Sequence, residues 1–347
     1  MDRQRQQQLL GVLPIATRPP PDYSNYQNYM LVALIQTVVP PPDPLVDVRS
    51  RLLGELDNFY TGRDVFGSLS QQRYVFFETT GESPETLIDL VNLIDLHEAP
   101  DNVLSLRNQI LLITIWLRSY PTIRMLSCMF GVSTSYVECE IQRCVPLFDG
   151  ALSTFVQWPS VEEWQAMRGR WPKITDAVGA IDGTSHEIYR PIDNEREFFS
   201  CHRGYHCLHS QVIVDYRGKI VYVESGFLGH QNDAQTYNLM RQIGSVHLPF
   251  PENCVILGDK IYPNRPPVLT PYTAPQLRRK QGEERRQCTR YNRYHRRYRV
   301  IVEHAICELK TYKCLSSVWR NPRRMLSVVT RICAAMVCRR KAIGLIF

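Results

Sequence analysis

Two short apolar runs, each ending on a glycine-flanked aspartate, restrict this chain more than any other feature. In residues 177–186, Ala-Val-Gly-Ala-Ile-Asp-Gly-Thr-Ser-His, small and apolar side chains lead to Asp182, and Gly183 follows at once. Residues 254–259, Cys-Val-Ile-Leu-Gly-Asp, repeat the design and end on Asp259. Each pattern predicts a buried strand that delivers a carboxylate at its end, where a turn opens to solvent. A third acid, Glu303, lies in residues 299–310, Arg-Val-Ile-Val-Glu-His-Ala-Ile-Cys-Glu-Leu-Lys, whose apolar spacing is helical. Two strand-borne aspartates and one helix-borne glutamate suit a hard divalent cation, which takes oxygen ligands. Taken singly, either aspartate is equally an ordinary turn residue. Glu303 has an alternative too, as the ion-pair partner of Arg299 or Lys310 on its own helix face.

A length of 347 residues points to two or three units. With 44% hydrophobic and 22% charged residues, the chain can bury a core and is not disordered as a whole. No run of about 18 uninterrupted apolar residues occurs, which argues against a membrane span. The N-terminus does not read as a signal peptide. Eleven cysteines without a Cys-x-x-Cys pair read as reduced, buried thiols, with Cys128, Cys307 and Cys333 on apolar helical faces.

Residues 1–45, with Pro19, Pro20, Pro21 and Pro40, Pro41, Pro42, read as a flexible arm. Residues 46–160 read as a helical domain. Amphipathic patterns cover 47–60 and 83–96, the second opened by Ser83 and Pro84. An apolar helix over 104–117 is followed by a helix over 122–130, a turn at Gly131, and a third helix over 134–144 capped by Ser133. That order predicts a helix-turn-helix at about 105–145, with Ser135, Gln142 and Arg143 offered to DNA. The competing reading is a bundle that only packs against the rest, because the third helix carries Glu138 and Glu140 against one arginine.

Residues 161–347 alternate strand and helix signals. A linking helix over 160–170 precedes the strand ending at Asp182. Strands over 210–215 and 220–224 share a hairpin turn, and a helix over 233–243 precedes the strand ending at Asp259. The last helix begins at Asn321 and turns Met325, Val328, Val329, Ile332 and Met336 inward. Such an order describes an α/β layer with helices packed on a sheet.

Charge divides the chain unevenly. Residues 278–347 hold 19 Lys/Arg against 4 Asp/Glu, whereas the remainder is net acidic. A basic C-terminal fifth points to a polyanion, with nucleic acid the first candidate. Ten of those cations crowd residues 278–299, with Tyr291, Tyr294 and Tyr298 interleaved. Arg290, Arg293, Arg296, Arg297 and Arg299 are expected to meet phosphates, and the tyrosines to stack on bases or sugars. A solvated charged helix is the plainer alternative. His202, His206 and His209 beside Cys201 and Cys207 have the composition of a zinc site, but the stretch is interrupted by glycine and followed by a strand, which argues against one.

Three blocks carry a resemblance. Residues 181–184 (Ile-Asp-Gly-Thr), 257–263 (Leu-Gly-Asp-Lys-Ile-Tyr-Pro) and 302–310 resemble the signature blocks of PIF/Harbinger-type DDE transposases. That family includes domesticated, nuclease-like relatives in animals. Residues 198–206 and 226–234 resemble further blocks of it, so the resemblance runs in order over roughly 83–342. It implies an RNase H-like catalytic domain, a mixed sheet with flanking helices, preceded by the all-α helix-turn-helix domain. It also implies an Asp-Asp-Glu triad on Asp182, Asp259 and Glu303, a two-metal site for Mg²⁺ or Mn²⁺, and cleavage and strand transfer at transposon ends. Two departures stand out: a longer separation of Asp259 from Glu303, suggesting a basic insertion at about 265–299, and Cys307 where glycine is common. Asp233 is the rival for the second carboxylate, but it reads as a helix N-cap and stays outside the triad. The implied partners are DNA of transposon ends and target, a second copy of the chain, and a Myb-like DNA-binding protein. The implied location is the nucleus, with the cytoplasm also open. Alternatives are a domesticated nuclease or a catalytically silent DNA-binding protein.

Overall fold

The computed structural model describes residues 62–94 and 103–344; the arm at 1–45 and the helix expected over 47–60 lie outside the described residues. A mixed sheet sets the frame. Its central strand β1 (Ala177–Glu187) is antiparallel to β3 (Tyr205–Asp215) and parallel to β5 (Val255–Leu257). Outside β3 runs antiparallel β4 (Ile220–Leu228), and outside β5 runs parallel β6 (Val268–Leu269). The two-residue β2 (Phe199–Ser200) pairs with the start of β3. The β3–β4 hairpin closes on its own chemistry. Asp215 Oδ1 accepts from the backbone N–H groups of Arg217 (2.8 Å) and Lys219 (2.9 Å), and Gly218 takes φ 81°.

Asp182 does not end its strand. β1 continues through Gly183 to Glu187, paired with β3 along that whole stretch. The glycine is needed for close approach instead of a turn, since a Cβ there would come within 2.0 Å of Asp233 Oδ1. A mid-strand glycine that admits a neighbouring side chain and a strand-ending glycine look alike in sequence.

Helices cover the sheet. A buried cluster joins Val178, Ile181, Ile213 and Ile256 of the strands to Trp164, Tyr237 and Met240. Trp164 belongs to α7 (Val161–Ala166), which is capped by Ser160 and shorter than its pattern suggests. Tyr237 belongs to α9 (Asp233–Leu239), which follows the short α8 (Glu195–Phe198). After β6 come α10 (Ala274–Arg278), the long α11 (Gly282–Lys310), α12 (Lys313–Ser316) and α13 (Arg323–Ala342).

The helical region is built on α4 (Leu106–Arg118), in which every residue from Asn108 to Leu117 is buried. Around it stand α1 (Val65–Leu69), α2 (Arg73–Thr80), α3 (Pro84–Leu93), α5 (Ile123–Phe130) and α6 (Thr134–Leu152). Gly131 closes α5 in the left-handed region, and Ser133 caps α6 by accepting from Tyr136 N–H at 3.1 Å. α6 runs past Cys144 because Val145, Phe148 and Leu152 continue its buried face. Tyr120 stacks on Trp319 with centroids 5.9 Å apart, and Arg331 pairs with Asp149 at 2.6 Å. These contacts join the helical region to the C-terminal helices, and the described residues fall in one compact unit.

All eleven cysteines are free, and Cys333 is buried as expected. Cys128 and Cys307 are exposed, because Ser127 and Met129 in α5, and Val302, Ala305 and Leu309 in α11, take the inward positions.

Candidate active site

Asp182 projects from the middle of the central strand, and a guanidinium ties it to the long helix. Arg299 Nη1 lies 3.1 Å from Asp182 Oδ2, while Arg299 Nη2 pairs with Glu303 Oε1 one turn further along α11. Two of the acids singled out in the sequence therefore share one cation, although 120 residues separate them in the chain. Asp259 follows β5 by two residues. Ala180 pairs with Leu257, so Asp259 continues β5 as Asp182 continues β1. His295 of α11, whose imidazole meets Leu269 O at 3.1 Å, feels the charges of both Arg299 and Asp259.

A buried relay fixes the loop after Asp259. Tyr262 N–H donates to Asp259 O (3.0 Å), and Tyr262 Oη donates to Gln211 Oε1 (2.6 Å). Gln211 Nε2 in turn donates to Thr236 Oγ1 of α9 (2.6 Å) and reaches Asp233 Oδ1 at 3.5 Å. The relay links β3, the loop after β5 and the start of α9, so each acid is held by a different element. At the far end of α11, Lys310 Nζ donates to Ser185 O (2.5 Å) and Leu315 O (2.7 Å). That bolts the helix bearing Glu303 to the strand bearing Asp182.

Desolvation dominates the electrostatics here. Burial holds the Asp182 carboxyl above the usual range against the pull of Arg299, and the charge of Asp233 pushes the same way. Burial raises the Tyr262 hydroxyl far above its ordinary value, with Asp233 and Asp182 adding to the effect. Asp233 is the residue that sequence reasoning set aside. Asn232 is the N-cap of α9, accepting from Gln235 N–H, and Asp233 is the first helical residue. Its carboxylate thus stands beside Gly183, and only the small residue next to Asp182 hinted at a neighbour there.

The basic run divides into two. Arg290, Arg293, Arg296 and Arg297 are exposed on α11, whereas Arg299 is half-buried against the acids. The tyrosines are largely spent within the protein. Tyr298 stacks on Trp171 at 5.0 Å, and Tyr291 packs edge-on against Tyr272 at 5.5 Å. Tyr294 packs along Tyr298 at 6.5 Å, so the expected stacking on bases gives way to stacking that anchors the helix. On α6, Ser135 and Gln142 are exposed, while Arg143 pairs with Glu140 and donates to Gln109 Oε1 at 2.7 Å. His206 faces Glu195 and His209 faces Gly229 O. Among the described residues, no group of three His, Cys, Asp or Glu side chains converges closely enough to hold an ion as it stands. Arg299 lies between Asp182 and Glu303 instead.

Fold and site together define a mixed α/β domain in which Asp182 of the central strand and Glu303 of the long basic helix share one arginine, with Asp259 two residues beyond the parallel neighbouring strand. Residues 181–337 match the DDE superfamily endonuclease family, and this part of the chain is a DDE superfamily endonuclease domain. The chain is 24% identical over 270 residues to "Probable transposase for insertion sequence element IS702" of Microchaete diplosiphon, covering 75% of this chain and 92% of that one. It is 22% identical over 216 residues to "Putative nuclease HARBI1" of Xenopus laevis, covering 58% of this chain and 60% of that one. These relatives agree with a PIF/Harbinger-type membership. No solved structure matches.

Proposed function

We propose that the chain is a divalent-cation-dependent DNA endonuclease of transposase type, with Asp182, Asp259 and Glu303 as its ion-holding acids. The observation that supports this reading is the shared guanidinium, which brings one strand acid and one helix acid, Asp182 and Glu303, to a single cation. The sheet order, β4–β3–β1–β5–β6 with antiparallel and parallel halves, supports an RNase H-like domain. The donor set fits Mg²⁺ or Mn²⁺, since it is all oxygen and its central carboxylate is half-buried within reach of the charge of Asp233. Ions bound there would supply a more acidic water and charge neutralisation for phosphodiester cleavage, with a 3′-hydroxyl in place of water for strand transfer at transposon ends.

The chain's own residues account for the rest. Asp182 and Asp259 are held by neighbouring strands and Glu303 by a helix, so their spacing is set by the fold. The exposed arginines of α11 lead along the same helix to the acids and would hold the phosphate backbone there. Ser135 and Gln142 face outward on the second helix of the helix-turn-helix, where they would contact DNA. Arg143 takes less part, being engaged with Glu140 and Gln109. The IS702 relative supports DNA as the substrate. Pairing of two transposon ends calls for a homo-oligomer, and a Myb-like partner and a nuclear location complete the reading.

The purified chain should nick supercoiled DNA in Mg²⁺ or Mn²⁺, and Asp182→Asn, Asp259→Asn and Glu303→Gln should each abolish nicking while remaining folded. Two of these variants cleaving normally would sink the assignment. Sequence alone makes Asp233→Asn a neutral control. Its position beside Gly183 changes that expectation to a partial loss.

A further inference from the structure

Arg299 is more than a neighbour of the acids. Its two terminal nitrogens engage carboxylates from two elements, Asp182 on β1 and Glu303 on α11, and its side chain is only 16% exposed. Asp182 has no oxygen left unengaged, since Oδ1 accepts from Gly183 N–H at 3.0 Å and Oδ2 faces Arg299. An ion arriving at Asp182 and Glu303 therefore meets a positive charge already seated on the same two groups.

We propose that Arg299 is the resident counter-cation of this carboxylate cluster, and that a divalent cation must displace its guanidinium from Asp182 and Glu303 to bind. The proposal rests on the reading of Asp182, Asp259 and Glu303 as an ion site, and it adds to that site a cation that competes with the ion. In the ion-free protein the guanidinium keeps two like charges together across the gap between strand and helix. The long arginine side chain can withdraw along α11, where Arg296 is already exposed to solvent. A structural bridge and a competing cation predict opposite signs. Removing a bridge loosens the acids and weakens ion binding, whereas removing a competitor strengthens it.

The test measures Mn²⁺ binding to the full chain through the loss of the free-ion electron paramagnetic resonance signal. Wild type is compared with Arg299→Gln and Arg299→Lys, each checked by circular dichroism. An opposite charge at this distance shifts a carboxylate's proton affinity by about one to three decades, so Arg299→Gln should bind Mn²⁺ about tenfold tighter or more. Arg299→Lys, which can reach one carboxylate at a time, should lie between. If Arg299→Gln does not fold, Arg299→Lys decides, and an affinity no tighter than wild type overturns the proposal. Unchanged or weaker binding by a folded Arg299→Gln, with wild type binding normally, overturns it while leaving the ion site intact. No Mn²⁺ binding by any of the three proteins overturns the ion site and this inference together.

Discussion

Two arginines in this molecule sit against carboxylates, and they do different things. Arg339 of α13 pairs with Glu82 at 2.8 Å, the two side chains being 4% and 0% exposed, and it also donates to Thr86 O at 2.7 Å. Burial raises the Glu82 carboxyl even so, because desolvation outweighs the attraction of its partner. That pair is sealed and joins the helical region to the last helix. Arg299 instead serves two carboxylates at an open face, where Asp182 is 21% and Glu303 44% exposed. One arginine for one sealed acid is a bolt. One arginine for two accessible acids, with more acids close by, leaves negative charge and room to exchange partners, which is what a site for a mobile cation requires.

Breaking the bolt should cost most. Arg339→Ala leaves Glu82 buried and unpaired, which should destabilise the chain by about 3–5 kcal/mol in urea denaturation. Replacing both partners together, Glu82→Leu with Arg339→Met, should recover most of that loss. If the single and double variants lose the same stability, the pair is not the joint that its burial implies.

The pH dependence of Lys310 comes next. Burial pulls its ammonium from the ordinary 10.5 down to about 8. Between those values the unfolded chain binds more protons than the folded one, so this group's contribution to stability rises with pH from about 8 to 10.5. The stability difference between wild type and Lys310→Met should therefore grow in favour of wild type across that window. A flat difference would show that Lys310 keeps its ordinary proton affinity.

At the open cluster the stability effect should be small. Arg299→Gln should cost about 1 kcal/mol or less, because water reaches both acids and screens the loss. A loss as large as that of Arg339→Ala would erase the contrast between the two regions. Smallest in stability, within a few tenths of a kcal/mol, should be the combined Arg290→Ala, Arg293→Ala, Arg296→Ala and Arg297→Ala variant. Its effect should emerge on DNA, where the slope of log K against log salt flattens by about 0.9 for each phosphate no longer neutralised. An unchanged slope would make this stretch a solvated helix.

What could be read in advance follows the range of the interactions. Local chemistry was legible: Ser83 and Ser133 as caps, the hairpin between β3 and β4, and the helical spacing around Glu303. Asp182, Asp259 and Glu303 stood out through their apolar approaches and the family blocks, and the structure brings the first and last of them onto one guanidinium. Contacts set by tertiary packing were not. Gly183 resembled a turn because the side chain it admits comes from α9, and Asp233 resembled a cap because its real neighbours lie on β1 and β3. The tyrosines of α11 looked available for bases, but Trp171 and Tyr272 pack against them. Arg299 was counted among phosphate-binding residues, since only the fold brings Asp182 to its side.

The cation should bind at Asp182, Asp259 and Glu303 and nowhere else among these acids. Loading the full chain with Fe²⁺ and adding ascorbate and peroxide generates hydroxyl radicals at the bound ion, which cut the backbone nearby. The fragments should map to the neighbourhoods of residues 182, 259 and 303, should vanish in Asp182→Asn, and should spare Glu82. Cuts confined to the histidine-rich stretch at 201–209, or an unchanged pattern in Asp182→Asn, would contradict the account.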